Sequence, residues 1–198
     1  MVVPSPAPPD PAAAKQAMRR VLRAMRRDYV AGLRLDEQAE LQSRLVDVLL
    51  PELTSASVIA GYAPMGSEID PSMLLWHAGN AMITTAFPAF ASATSPMIFR
   101  SGQCAEDCPV GGVQPPAQAR QVEPDLILIP LLAVDRNGTR LGQGGGHYDR
   151  ALPALRATGA RVIGIGWSMQ LLDTLLVADP WDVRLDAFAS PDGLVEFS

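Results

Sequence analysis

Residues 126–134, LILIPLLAV, form an apolar run that leads directly into DRNGTRLGQGGGHYDR at 135–150, and this succession leaves few folds open. A run of that kind reads as a strand buried on both faces, as in a parallel sheet covered by helices. The glycines at 142, 144, 145 and 146 follow it and precede a helical pattern. Glycines let backbone amides crowd around an anion without Cβ interference, and the next helix adds free N–H groups and the positive end of its dipole. The segment therefore reads as a phosphate loop. Two better-known loops are excluded: the Rossmann spacing needs a third glycine where His147 stands, and a Walker A loop needs Lys-Ser or Lys-Thr after its last glycine. A flexible turn without a ligand is the bland alternative, but it does not call for Arg140, Tyr148, Asp149 and Arg150 around the glycines.

The rest of the chain fits the same class. Asp10 and Pro11 read as N-cap and first residue of a helix to about Val30, and a second amphipathic helix runs over 35–50 with Leu41, Leu45, Val48 and Leu49 on its apolar side and Pro51 ending it. Residues 57–63 and 81–87 read as strands with helix-start chemistry at Asp70 and Pro71 between them, which implies a parallel crossover. Further strands are expected at 97–100 and 161–166, the latter following the helix after the glycine loop, whereas the Pro-, Gly- and Ser-rich remainder of 89–123 gives no order. The expected fold is α/β, a single-domain three-layer α/β/α arrangement with a mostly parallel sheet, spanning 12–198 behind a disordered tail at 1–11.

Composition narrows the function. A formal net charge of -5 argues against nucleic-acid or anionic-membrane partners, although seven of the sixteen basic residues lie between Lys15 and Arg34. No apolar stretch reaches the roughly 18 residues of a membrane span. The opening MVVPSPAPPDPAAA has neither basic leader nor apolar signal core, so a cytoplasmic location is expected. Cys104 and Cys108 lack a second ligand pair for zinc and read as ordinary thiols in a surface loop.

Candidate residues cluster around the loop. Lys15 and Arg19 share a helix face and could jointly grip a polyphosphate; Lys15 is the only lysine against fifteen arginines, so its compact ammonium has a use that a generic cation would not serve. Tyr62, Met65 and Glu68, just past the first strand, could wall a site at the carboxyl end of the sheet, where α/β proteins bind ligands. Asp149 and Asp182 are hard carboxylates of the kind magnesium uses when it also holds phosphate, with a cap or salt bridge as the plainer role for Asp182.

At this point the residues resemble a known family. RLGQGGGHYDR at 140–150 resembles the signature of the 5-formyltetrahydrofolate cyclo-ligases, and KQAMR at 15–19, the segment 62–68, Pro130, IGWSMQ at 165–170 and DVRLD at 182–186 are similar to its other blocks, in order, over roughly 15–190. The resemblance implies ATP-dependent conversion of 5-formyltetrahydrofolate to 5,10-methenyltetrahydrofolate, with release of ADP and phosphate. It implies ATP held by Lys15, Arg19, Arg140, Leu141, Gly142, Gly144, Gly145, Gly146 and Tyr148, and folate by Tyr62, Met65, Glu68, Gln143 and His147. Magnesium would sit between Asp149 and Asp182, and Lys15, Arg140 and Arg150 would be the catalytic cations. The chain departs from the family pattern at Gln143, at His147 in place of an aromatic ring, at Gln114 in place of glutamate, and at Trp181 in place of histidine. Two other readings stay open: a paralogue with the same nucleotide site and another formylated or carboxylated substrate, and a binding module without turnover, against which the two aspartates weigh.

Overall fold

The computed structural model describes residues 11–179 and 182–197, so the expected N-cap Asp10, most of the expected tail, and Trp181 lie outside the described residues. The chain opens with α1 (Pro11–Gly32) and α2 (Leu35–Leu49). The start of α2 is braced by Glu37, whose carboxylate accepts the Arg34 backbone N–H at 2.8 Å, and the helix gives way at Leu50 to a tighter turn containing Pro51. Strand β1 (Val58–Ala60), helix α3 (Ser72–Asn80) and strand β2 (Thr84–Ala89) form the expected crossover, with β1 and β2 parallel. Asp70 accepts the Ser72 N–H at 2.8 Å, the helix-start chemistry that the sequence shows.

The region that the sequence left unordered forms β3 (Ile98–Ser101), β4 (Glu106–Asp107), β5 (Val113–Gln114) and β6 (Gln121–Val122). The apolar run at 126–134, expected as one strand, is two: β7 (Leu126–Pro130) and β8 (Ala133–Asp135). The break follows Pro130, where the missing N–H ends the ladder and lets the chain leave the main sheet. After β8 come β9 (Arg140–Leu141), α4 (His147–Ala157), β10 (Arg161–Ile165), β11 (Leu171–Leu172), β12 (Ala187–Ser190) and β13 (Gly193–Glu196).

The main sheet has eight strands in the order β13-β12-β10-β7-β1-β2-β3-β6. Its centre is parallel, and β13, β3 and β6 are antiparallel additions at its edges. Leu126 and Leu128 face one core with Leu45, Val46 and Leu49 of α2 and Leu74, Leu75 and Ala78 of α3, whereas Ile127 and Ile129 face the other with Leu152 of α4. Such alternation, with every residue buried, is what a three-layer sandwich requires, and each such side chain contributes roughly 1.5–3 kcal/mol when buried. A small sheet, β11-β8-β9, stands apart and carries the glycine loop. Among the described residues no helix is long and apolar enough to cross a membrane.

Candidate active site

Helix α1 is packed against the loop region through Leu22 and against the main core through Tyr29 and Val30. Leu22 packs with Leu132, Ala133 and Leu141 of the β8–β9 region, and this seats the helix face that also bears Lys15, Arg19 and Arg26. Lys15 lies 2.5 Å from Asp179 and 3.1 Å from Asp182. Burial opposes its charge, but the two carboxylates outweigh that cost and raise its pKa. Arg19 donates from Nε to the Gly142 carbonyl at 3.1 Å, and its side chain passes 3.5 Å from where a Cβ on Gly144 would stand. Gly144 and Gly146 have φ of 104° and 64°, a backbone that side chains rarely adopt, and Gly146 caps α4 in that conformation. The glycine loop and the N-terminus of the 11-residue helix α4 thus line the same cavity as Lys15, Arg19 and Arg140.

Arg140 anchors the far side of the loop. Its side chain is buried, ion-paired to Asp149, and stands 5.9 Å from the centre of the Tyr148 ring, while its Nε is buried without a hydrogen-bond partner. Burial raises the pKa of the Tyr148 hydroxyl despite the opposing charge of Arg140. Arg150, expected among the catalytic cations, does not line the cavity: it is exposed and donates to the Gly145 carbonyl at 3.2 Å and lies 3.0 Å from His147 Nδ1. It braces the loop from outside. The other proposed site residues all line a single cavity of about 480 Å³.

The opposite wall is built around Glu68. This carboxylate, 7% exposed, accepts the Met65 backbone N–H at 3.0 Å and the Gln143 side-chain amide at 3.0 Å, with Arg26 at 3.7 Å. Gln143 in turn accepts both Nε and Nη2 of Arg23, at 3.2 and 2.9 Å. Tyr62 contributes its ring, because its hydroxyl is spent on the Ile69 carbonyl at 2.7 Å, and burial, then the charge of Glu68, holds that hydroxyl well above its usual pKa. Phe90 meets His147 edge-on with ring centres 4.8 Å apart. Burial, then the charge of Arg150, lowers the pKa of His147.

Several wall residues were not legible in the sequence. Phe90 is held by Gln114, whose Oε1 accepts the Phe90 N–H at 2.8 Å and whose Nε2 donates to the Phe90 carbonyl at 3.2 Å; this pairing needs β5 beside the end of β2. The turn 110–113, Met97 and Cys108 also line the cavity, which corrects the surface-loop reading for Cys108. Burial, then Cys108, pushes the Cys104 thiol up to about 11, which disfavours its thiolate. Arg26, seven residues after Arg19 on α1, carried a helical spacing signal for the same face, whereas Asp179 lies outside any helix or strand and carried none.

Magnesium that also holds phosphate needs only one or two protein carboxylates. No cluster of three or more His, Cys, Asp or Glu suited to hold an ion alone occurs among the described residues, but Asp149, Asp179 and Asp182 are hard oxygen donors on the wall of the phosphate-suited cavity, so the donor set fits in kind. Each of these carboxylates is matched here by a cation, Arg140 or Lys15.

Comparison with known proteins identifies relatives of the chain. The model of the 5-formyltetrahydrofolate cyclo-ligase family matches residues 11–191. The 5-formyltetrahydrofolate cyclo-ligase of Escherichia coli K12 is 27% identical over 157 residues, covering 74% of this chain and 85% of that protein. That of Mycolicibacterium smegmatis is 48% identical over 69 residues, covering 35% of this chain and 34% of the relative. The solved 5,10-methenyltetrahydrofolate synthetase of Mycoplasma pneumoniae superposes with a TM-score of 0.68 at 29% identity, over 89% of this chain and 98% of that one. The Aquifex aeolicus 5,10-methenyltetrahydrofolate synthetase gives a TM-score of 0.76 over 92% of each chain, and at 23% identity it supports the fold alone. The signature loop, the cavity and the match over residues 11–191 together lead to one conclusion: the chain belongs to the 5-formyltetrahydrofolate cyclo-ligase family.

Proposed function

We propose that the chain closes the formyl group of 5-formyltetrahydrofolate onto N10, giving 5,10-methenyltetrahydrofolate with conversion of ATP to ADP and phosphate. The observation that carries this is the single cavity in which a glycine loop and three cations adjoin a wall of Glu68, Tyr62, Met65, Phe90 and His147. In this reading the formyl oxygen bonds to the γ-phosphorus as the bond to ADP breaks. N10 then adds to the formyl carbon and loses its proton, and phosphate leaves as the carbon–oxygen bond breaks.

Little covalent chemistry is asked of the protein, because charge develops on phosphoryl oxygens and the task is to hold and stabilise them. Lys15, Arg19, Arg140 and the loop amides of Gly142, Gly144, Gly145 and Gly146 would hold the phosphates, with Leu141 and Tyr148 backing the loop. Asp149 and Asp182 would hold a magnesium ion, which supplies further charge neutralisation there. Glu68 would accept N–H groups of the pterin, and His147 would pack on the folate as the edge of an aromatic wall rather than act as a base. Gln143 belongs to the same wall. A cytoplasmic setting, with ATP and reduced folate at hand, is part of this proposal.

The test is absorbance in the methenyl-folate band after mixing protein, 5-formyltetrahydrofolate, magnesium and ATP. An ATP-dependent rise is expected. No rise from folded protein would turn the assignment to a paralogue acting on another formylated or carboxylated substrate.

A further inference from the structure

Asp135 is an ionisable side chain, 1% exposed, that the reaction above does not use. Its two oxygens are divided between two segments of chain. Oδ1 accepts the backbone N–H groups of Asn137 and Thr139, each at 2.9 Å, and so folds the turn that delivers Arg140 and the glycine loop. Oδ2 accepts the backbone N–H of Leu176 at 2.9 Å. Leu176 lies in the stretch between β11 and β12, whose described residues form no helix or strand yet include Asp179 and Asp182, the partners of Lys15. A buried carboxylate needs such donors, and charge-assisted hydrogen bonds are the strong ones.

Other ties hold the ends of the same stretch. Leu171 and Leu172 pair with Val134 and Asp135 in the small sheet, and Arg136 reaches Asp173 at 2.9 Å, but Asp173 is 89% exposed and its ion pair is screened by water. Between Leu172 and Asp179 the Leu176 N–H fastens the stretch to Asp135, and beyond Asp182 the buried Leu185 N–H donates to the Gly138 carbonyl at 3.0 Å, so the two aspartates lie between two hydrogen bonds to the glycine-loop turn.

We propose that Asp135 is a positioning residue for the phosphate end of the active site: by fastening Leu176 to the turn at 136–139, it sets Asp179 and Asp182 opposite Lys15 and Arg140. This rests on the nucleotide-site reading above. Asp135→Asn separates the two functions of the side chain. An amide of the same shape keeps an oxygen for Asn137 and Thr139, but it turns an N–H₂ donor toward the Leu176 N–H, so the turn survives while the tether is lost.

Three readouts test this. Titration calorimetry should show ATP binding about tenfold weaker in Asp135→Asn, the loss expected for one charge-assisted hydrogen bond, with the KM for 5-formyltetrahydrofolate unchanged. Because Lys15 is the only lysine, amine-selective labelling read by peptide mass reports on one side chain; it should be slow in the wild type and about tenfold faster in Asp135→Asn. Asp173→Ala, which cuts only the exposed tie, should leave both values as they are. Equal weakening of ATP and folate binding would reduce Asp135 to a general fold residue and overturn the proposal, as would unchanged labelling of Lys15. Should Asp135→Asn fail to fold, hydrogen exchange of the wild type decides: a Leu176 amide protected like the core supports the tether, and one that exchanges like an open loop sinks it. A wild type that does not bind ATP would instead sink the cyclo-ligase reading, and the role of Asp135 in nucleotide binding with it.

Discussion

Glu68 and Gln143, 75 positions apart in the chain, meet through a 3.0 Å hydrogen bond from the Gln143 side-chain amide to Glu68 Oε1. The glycine loop is thereby joined to the opposite wall of the cavity, and Arg23 on α1 completes the chain of contacts by donating twice to the same glutamine. Gln143→Leu removes both links. We expect the KM for the folate to rise about five- to tenfold, equivalent to roughly one net hydrogen bond to a charged group, with a smaller change in the KM for ATP. Steady-state kinetics with each substrate varied in turn checks the split.

His147 meets Phe90 edge-on, a position that a larger aromatic ring can also fill. His147→Tyr is therefore expected to keep or improve folate affinity, because the added ring area packs against the same wall. A large loss of kcat/KM in that variant would show instead that the imidazole has a specific role.

The same residue makes a prediction about pH. Burial, then Arg150, lowers its pKa below the ordinary 6.5, so the unfolded chain binds a proton more readily than the folded one. Stability from this group is therefore present above about pH 6.5 and is lost as the pH falls through that value toward the lowered one. Melting temperatures of wild type and His147→Tyr should be parallel above pH 7 and diverge toward pH 5, with the wild type falling faster.

At Gly146, φ is 64°, and a Cβ would stand 2.9 Å from Nη1 of Arg150. Gly146→Ala should cost about 1–2 kcal/mol from the left-handed backbone alone and displace Arg150, raising the KM for ATP more than that for folate. Chemical denaturation and kinetics read the two effects separately.

Arg26 is 3% exposed and is held by Ser67 Oγ at 3.1 Å and the Leu131 carbonyl at 3.2 Å, with Glu68 3.7 Å away. Arg26→Met leaves the Glu68 carboxylate buried with one fewer opposite charge. A loss of about 3 kcal/mol in urea unfolding is expected, together with weaker folate binding. Unchanged stability would mean that Gln143 and the Met65 N–H alone satisfy Glu68.

Asp149→Ala should abolish turnover while the protein stays folded, since it removes both a proposed magnesium ligand and the partner of Arg140. Circular dichroism alongside the absorbance assay separates the two outcomes, and an unchanged rate would remove Asp149 from the metal site.

The order of strands and helices around the crossover, the glycine loop between a buried strand and α4, and the pairing of Lys15 with Arg19 were all legible in the chain, because they rest on local periodicity and on glycine and proline chemistry. Tertiary structure decided what depends on distant backbone coming together. Proline alone signals a possible break at 130, but only the sheet shows that β8 leaves to carry the loop. Phe90 joins the wall because Gln114 arrives beside it from a segment without periodicity. Arg150, adjacent to Asp149 in sequence, turns outward because α4 starts at Gly146 and places it on the exposed face of the first turn, where it braces the loop instead of lining the cavity. Which charges neutralise which is likewise a property of the fold: Lys15 finds Asp179 and Asp182 more than 160 positions away, and no local rule reaches that far.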